Sequence, residues 1–376
     1  MAKKGTENKH RSGLRLSASH ILDAERVLIP ISPGYDNVLG GGIVSGSLTT
    51  LSGKPKSGKT TSLLQMAQIA QNPKYGGKFW NEQAAKKRGD RAGRPLLFYN
   101  VENRLTSRDL KGIPGLDLTP MFNDDEEYIG GKFNMAATTE SKTLYLEDYQ
   151  ADIEKMAELF PGCIMLVDSI GAMCSKKVGA ATDEGLVMDP APRLRALFME
   201  RFGPLIMAKD IIMFCVLHKV ANIGAVGNQS RTTVTGGNKL KFGANNILEI
   251  KWSETDQNNK GCYILHLDCE TSELGEPHIT GDAYLRFNKG LWGSYELLLL
   301  ISEHDVDDEG EPIDWGVSKA GAWWTFGADL IGEDKPKKIQ KIANAATFLD
   351  ENPLIYQTLY ERFANRYWTN RQLYLK

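Results

Sequence analysis

Apolar residues come in short runs along this chain, and each run closes on a polar residue. Four segments, 47–52, 96–101, 164–167 and 211–217, read as strands ending next to Gly53, Glu102, Asp168 and His218, and the last three are such runs. Near-continuous apolar runs of this length are what strands covered on both faces require. Between them lie segments of helical period. Residues 143–160 carry Leu144, Leu146, Ile153, Met156, Leu159 and Phe160, and residues 190–209 carry Leu194, Leu197, Phe198, Phe202, Leu205 and Ile206. Strands alternating with helices predict an α/β fold with a largely parallel central sheet flanked by helices. Residues 247–252 and 263–267 alternate apolar with polar, which predicts an antiparallel pair with its turn at 256–261. Residues 297–301 read as one more short, strand-like run.

The first of these strands leads into Gly53-Lys54-Pro55-Lys56-Ser57-Gly58-Lys59-Thr60, followed by Thr61 and a helical stretch through 67. This is the G-x-x-x-x-G-K-[ST] pattern of a phosphate loop, or Walker A motif. Its glycines let the backbone curl so that successive N–H groups face phosphate oxygens. Lys59 then reaches the outer phosphates, and the Thr60 hydroxyl can hold Mg²⁺. A strand before and a helix after give the anion a helix N-terminus. The motif predicts a nucleoside triphosphate site lined by residues 53–61.

In open α/β folds the ligand lies at the carboxyl ends of the strands. Glu102 follows the second run, where a carboxylate can orient or deprotonate attacking water; a surface glutamate in the next loop is the alternative. Asp168 closes the third run, placed to hold Mg²⁺ or its water; a capping aspartate is the alternative. His218 closes the fourth, beside both. Its position alone assigns it no role.

Composition adds limits. The net charge of −2 makes no general case for nucleic acid, so any such contact needs local patches. One is a basic arm at residues 1–16, followed by a short helix at 17–25. Another is the polar stretch 73–95, a surface insertion longer than usual α/β loops, either solvated or a basic contact surface. Residues 176–189 and 219–237 read as two long loops. The five cysteines show no metal-ligand spacing, Cys163 and Cys215 being expected as buried thiols. No signal peptide or membrane span is evident, and with the scattered cysteines this predicts a reducing cytoplasm. From about residue 293 the character changes: an acidic stretch at 303–314, then an aromatic segment and a basic, helix-rich end. This predicts a small C-terminal α/β domain. The expected division is 1–28 as basic arm and oligomerisation segment, 29–292 as ATPase core, and 293–376 as C-terminal domain.

Read together, these segments resemble the RecA family of DNA recombinases. Leu39-Gly40-Gly41-Gly42-Ile43-Val44-Ser45-Gly46 is similar to the family's approach to its phosphate loop. Val101-Glu102 resembles its catalytic glutamate, and residues 164–169 its V-D-S strand. Thr235-Gly236-Gly237-Asn238-Lys239-Leu240-Lys241-Phe242 resembles the end of its second DNA-binding loop. Lys319-Ala320-Gly321-Ala322-Trp323-Trp324 is similar to the K-A-G-A-W-Y box of bacterial C-terminal domains, which phosphate-loop ATPases at large do not share.

The resemblance implies a RecA-type core that binds ATP and Mg²⁺, with Lys59, Glu102 and His218 in catalysis and Thr60 and Asp168 at the metal. It implies a helical filament of this chain on single-stranded DNA, pairing with double-stranded DNA and aided by single-strand-binding and mediator proteins, with no membrane. Loops at about 175–190 and 219–237 would hold DNA through Met188, Arg193, Ile223, Arg231, Gly236 and Gly237. At the position of His218 cellular members have glutamine; a histidine resembles phage-type recombinases. Two other activities fit the same residues: a RecA-fold ATP-driven motor or loader without strand exchange, and a filament former with little ATPase. Some features depart from the family. Bacterial members carry a lysine pair reaching a neighbour's ATP, but Thr271-Ser272-Glu273 has none, and Lys289 is a substitute cation. The second loop also lacks the family's aromatic near Gly227.

Overall fold

The computed structural model describes residues 26–88, 92–122, 128–180, 189–221, 232–234 and 243–375. Their centre is a ten-stranded mixed sheet. Its strands are β1 (Ser47–Gly53), β2 (Leu96–Asn100), β3 (Phe133–Ala136), β4 (Ile164–Asp168), β5 (Ile212–Ala221), β6 (Thr232–Val234), β7 (Asn246–Thr255), β8 (Cys262–Thr271), β9 (Ile279–Arg286) and β10 (Gly290–Leu291). Across the sheet the order is β10-β9-β8-β7-β1-β5-β4-β2-β3, with β6 paired to β5. Strands β7 through β3 in that order run parallel, while β8, β9 and β10 extend the sheet antiparallel.

Alternation along each buried strand feeds two cores, because successive side chains point to opposite faces. Leu51, Phe98, Leu166 and Phe214 pack on one face with α2 (Lys59–Ala70) through Leu63, Leu64 and Met66. Leu48, Leu97, Met165 and Met213 pack on the other, with α3 (Leu146–Leu159) and α4 (Ala191–Ala208) through Ile153, Phe198 and Phe202. Both faces are covered, which explains the unbroken apolar runs. Cys163, Cys215, Cys262 and Cys269 are buried free thiols and Cys174 is exposed.

Four segments differ from the sequence expectation; the smallest is Lys176–Gly179, read as loop but a short helix capped by the Ser175 side chain. Residues 297–301 belong to a helix, α5 (Gly293–Glu303), with Leu297, Leu298, Leu300 and Ile301 buried. A five-residue apolar run cannot separate a strand from a buried helix. The segment 73–95 is not a bare loop: it holds helices Gly77–Trp80 and Glu82–Arg88, anchored by buried Tyr75, Trp80 and Ala85. Arg94, a basic residue of this polar stretch, is fully buried. Its guanidinium donates to the carbonyls of Tyr75, Gly162 and Asp210 and pairs with the Asp210 carboxylate at 2.7 Å. Lastly, β5 does not stop at His218. It continues to Ala221, because β6 pairs with it in antiparallel register, Val234 opposite Lys219.

The C-terminal residues form a three-stranded antiparallel sheet, Val317–Ala320, Trp323–Phe326 and Lys337–Gln340, packed with α5, α6 (Ile342–Glu351) and α7 (Pro353–Tyr367). Buried carboxylates tie them to helix α1 (Pro33–Leu39). Glu296 accepts from the N–H groups of Gly34 and Tyr284, and Asp36 accepts from the Tyr360 hydroxyl at 2.8 Å. Burial pushes the Asp36 carboxyl up to about 7.

Removing one partner of a buried pair leaves the other charge uncompensated. Arg94→Ala is therefore expected to cost about 3–5 kcal/mol of stability, read from urea unfolding. A loss below about 1 kcal/mol would mean that the insertion is not held by this residue.

Candidate nucleotide site

The parallel register builds the site. Gly53 lies opposite His218 across β1 and β5, and Asn100 lies opposite Asp168 across β2 and β4. The carboxyl ends of four strands therefore meet at one place. A cavity of about 750 Å³ opens there, lined by the phosphate loop, Glu102, Asp168 and His218.

The loop has the backbone that its glycines permit. Gly53 has φ 155° and Gly58 φ 90°, in the region that disfavours side chains, and a Cβ on Gly53 would stand 2.8 Å from the Ile250 carbonyl. Lys59 is buried and donates from Nζ to the carbonyls of Gly53, at 3.0 Å, and Lys54, at 2.6 Å. Burial lowers its affinity for the proton, and the negative charges of Asp168 and Glu102 oppose that. Ser57 Oγ is buried with no hydrogen-bond partner among the described residues, inside a loop shaped for an anion. A triphosphate fits this cradle, since it would give Lys59 and Ser57 oxygen acceptors.

Thr60 Oγ1 donates to Asp168 Oδ2 at 2.6 Å. Burial raises the Asp168 pKa, partly offset by that hydrogen bond. A hydroxyl and a carboxylate in contact are oxygen ligands of the kind Mg²⁺ takes. Glu102, Asp168 and His218 present ligand atoms all within 4.8 Å of one another. Their chemistry fits a cation beside phosphate.

Glu102 is held from both ends. Ser169 Oγ donates to Oε1 at 2.7 Å, His218 Nε2 lies 2.6 Å from the same oxygen, and Arg104 Nη1 pairs with Oε2 at 2.9 Å. Burial alone would raise its pKa, but the hydrogen bond from Ser169, His218 and the Arg104 charge together bring it below the ordinary carboxylate value.

Sequence reasoning did not assign Arg104 or Ser169 a part here. Arg104 stands two residues beyond Glu102, a signal that was readable. Arg108 lies over the Phe287 ring at 4.7 Å, and both line the cavity; that contact joins distant parts of the chain and left no local signal. Of the expected DNA contacts, Arg193 is exposed in the first turn of α4. Met188, Ile223, Arg231, Gly236 and Gly237 lie outside the described residues, as do residues 1–25, with the basic arm at 1–16 and the short helix expected at 17–25. Arg195, two residues further along the same helix, is buried and donates to the carbonyls of Ile170 and Gly171. The stretch 271–273 faces its own fold: Ser272 donates to the Leu39 carbonyl and Glu273 pairs with Arg26. Lys289 is exposed, in the turn that follows Asn288 at the cavity.

No family model matches the chain. It is 24% identical to protein RecA of Nautilia profundicola, a match covering 88% of this chain and 79% of that protein. It is 26% identical to protein RecA of Xanthomonas euvesicatoria (89% and 83%) and 26% identical to that of Pseudomonas fluorescens (92% and 85%). These matches are too long to leave out the whole of residues 293–376. These likenesses, spread over most of the chain, support a RecA-family protein. Its α/β architecture, with a mostly parallel sheet between helices, fits a RecA-type core. Among the described residues, no helix is long and apolar enough to cross a membrane.

If Glu102 acts on water in this site, Glu102→Gln keeps the shape and removes the base. ATP turnover is expected to fall about 10²–10⁴-fold, with nucleotide affinity within about threefold of wild type. Unchanged turnover would remove Glu102 from the chemistry.

Proposed function

We propose that this chain is an ATP-dependent homologous recombination protein that forms a helical filament on single-stranded DNA and catalyses pairing and strand exchange with a homologous duplex. The observation that carries this reading is the Glu102–His218 contact. His218 sits on β5, and that strand runs on through Ala221 into the segment expected to grip DNA. The phosphate end of the site is thereby joined, by one hydrogen bond and one strand, to the second loop. A change at the nucleotide can bias that loop, which is what coupling between two sites requires. The RecA relatives support the reading, since their similarity extends into the C-terminal residues.

In this reading Lys59 and the loop N–H groups hold the phosphates of ATP, and Thr60 and Asp168 hold Mg²⁺. The bound nucleotide supplies a phosphoanhydride whose cleavage weakens the grip on DNA. Glu102 orients the attacking water and takes its proton. The loops at about 175–190 and 219–237 hold DNA without regard to sequence: Arg193, Arg231 and the N–H groups of Gly236 and Gly237 meet phosphates, and the apolar Met188 and Ile223 wedge between bases. We assign residues 1–28 to neighbour contact, 29–292 to the ATPase core and 293–376 to a C-terminal domain. His218 supports a phage-type member acting in the host cytoplasm, with single-strand-binding and mediator proteins as partners.

The test is joint-molecule formation between single-stranded DNA and a homologous duplex. Wild type with ATP is expected to form joint molecules and Lys59→Ala to form fewer than about a tenth as many, since loss of the phosphate-reaching lysine removes the nucleotide's grip. Affinity for single-stranded DNA is expected to fall steeply with salt, by about 300-fold or more between 50 and 200 mM for six or more phosphate contacts. Full joint-molecule yield from Lys59→Ala would overturn the ATP-dependent reading. DNA-stimulated hydrolysis without joint molecules in wild type would point to a motor or loader instead.

A further inference from the structure

We infer that Arg104 is the residue that reads the terminal phosphate of the bound nucleotide, acting within its own subunit, and that its release from Glu102 frees that carboxylate for water. The inference rests on the ATPase reading above and adds a residue to it.

The backbone that carries Arg104 is fixed. The Val101 N–H donates to the Asp168 carbonyl at 2.9 Å, tying the end of β2 to β4. The Arg104 N–H donates to Asn100 Oδ1 at 3.2 Å. Asn103, at φ 51°, donates from its side chain to the Thr138 carbonyl. Two residues on, Thr106 and Asp109 form a reciprocal capping box that starts helix Ser107–Lys111. The peptide at Arg104 is therefore held on both sides, and the freedom left is in its side chain.

That side chain is 79% exposed and lines the same cavity as Lys59 and Thr60. A guanidinium has five N–H donors in a planar fork, and one contact to Glu102 leaves most of them for other acceptors. An ion pair this exposed is weak and readily exchanged. A terminal phosphate offers more charge than one carboxylate oxygen and accepts two parallel N–H donors, so the guanidinium favours it. Arg104 then leaves Oε2, whereas Ser169 and His218 continue to hold Oε1. The freed oxygen can accept a proton from the attacking water. A diphosphate presents no acceptor that far along the cradle, and the clamp on Glu102 persists. One side chain thus ties recognition of the third phosphate to activation of the base.

The test compares wild type, Arg104→Gln and Arg104→Lys in two measurements: affinity for ADP and for a non-hydrolysable ATP analogue by titration calorimetry, and steady-state hydrolysis. Wild type is expected to favour the triphosphate. In Arg104→Gln that preference is expected to shrink about tenfold while ADP affinity stays within twofold, and kcat to fall about 10³-fold, the scale of an arginine acting on a transferring phosphoryl group. Arg104→Lys is expected to recover part of the preference and part of kcat, because it restores charge without the fork. If wild type binds and hydrolyses ATP and Arg104→Gln keeps both the triphosphate preference and kcat, this inference fails and the ATPase reading stands. If wild type binds neither nucleotide, both fail together.

Discussion

The register between parallel strands is the constraint on which the rest of this molecule depends. Hydrogen-bonding β1 to β5 and β4 to β2 sets Gly53 against His218 and Asp168 against Asn100. A shift of one residue would turn every buried side chain to the wrong face, and two apolar cores hold each strand against that slip. Packing energy spread over the whole sheet therefore fixes the positions of a few polar atoms at its end. Loops alone could not hold Thr60 at 2.6 Å from Asp168 and His218 at 2.6 Å from Glu102.

The electrostatics follow from that convergence. Three partly buried ionisable groups share a small space beside Lys59, and burial and pairing move its two carboxyl groups in opposite directions. Burial dominates at Asp168, raising its pKa, while hydrogen bonds and cations prevail at Glu102, lowering it. Carboxylates with different environments can do different work, one beside a cation and one beside water. The contact of His218 with Glu102 gives the site an outlet, since β5 carries that histidine onward to its pairing with β6.

Much of this was legible in the sequence because it depends on local chemistry. The phosphate loop specifies its own backbone, and buried parallel strands need the apolar runs that end at Glu102, Asp168 and His218. What stayed hidden depends on contacts between distant residues. The burial of Arg94 follows from Asp210 lying beside it, and a basic residue in a polar stretch gives no sign of that. The run 297–301 is helical because the C-terminal core covers it, and five leucine and isoleucine residues carry no period of their own. β5 extends past His218 only because β6 folds back on it, a pairing that a loop-like composition concealed. Arg104 was close to a predicted residue, but its contact with Glu102 depends on the turn pinned by Asn100 and Asn103.

The central claim is that the Glu102–His218 contact couples the nucleotide to DNA. The most direct measurement is the ratio of ATP hydrolysis with single-stranded DNA to hydrolysis without it, in wild type and in His218→Ala. The account predicts a ratio well above one in wild type and close to one in the variant. A variant that keeps the wild-type ratio would contradict it, because the signal would then pass between the two sites without this contact.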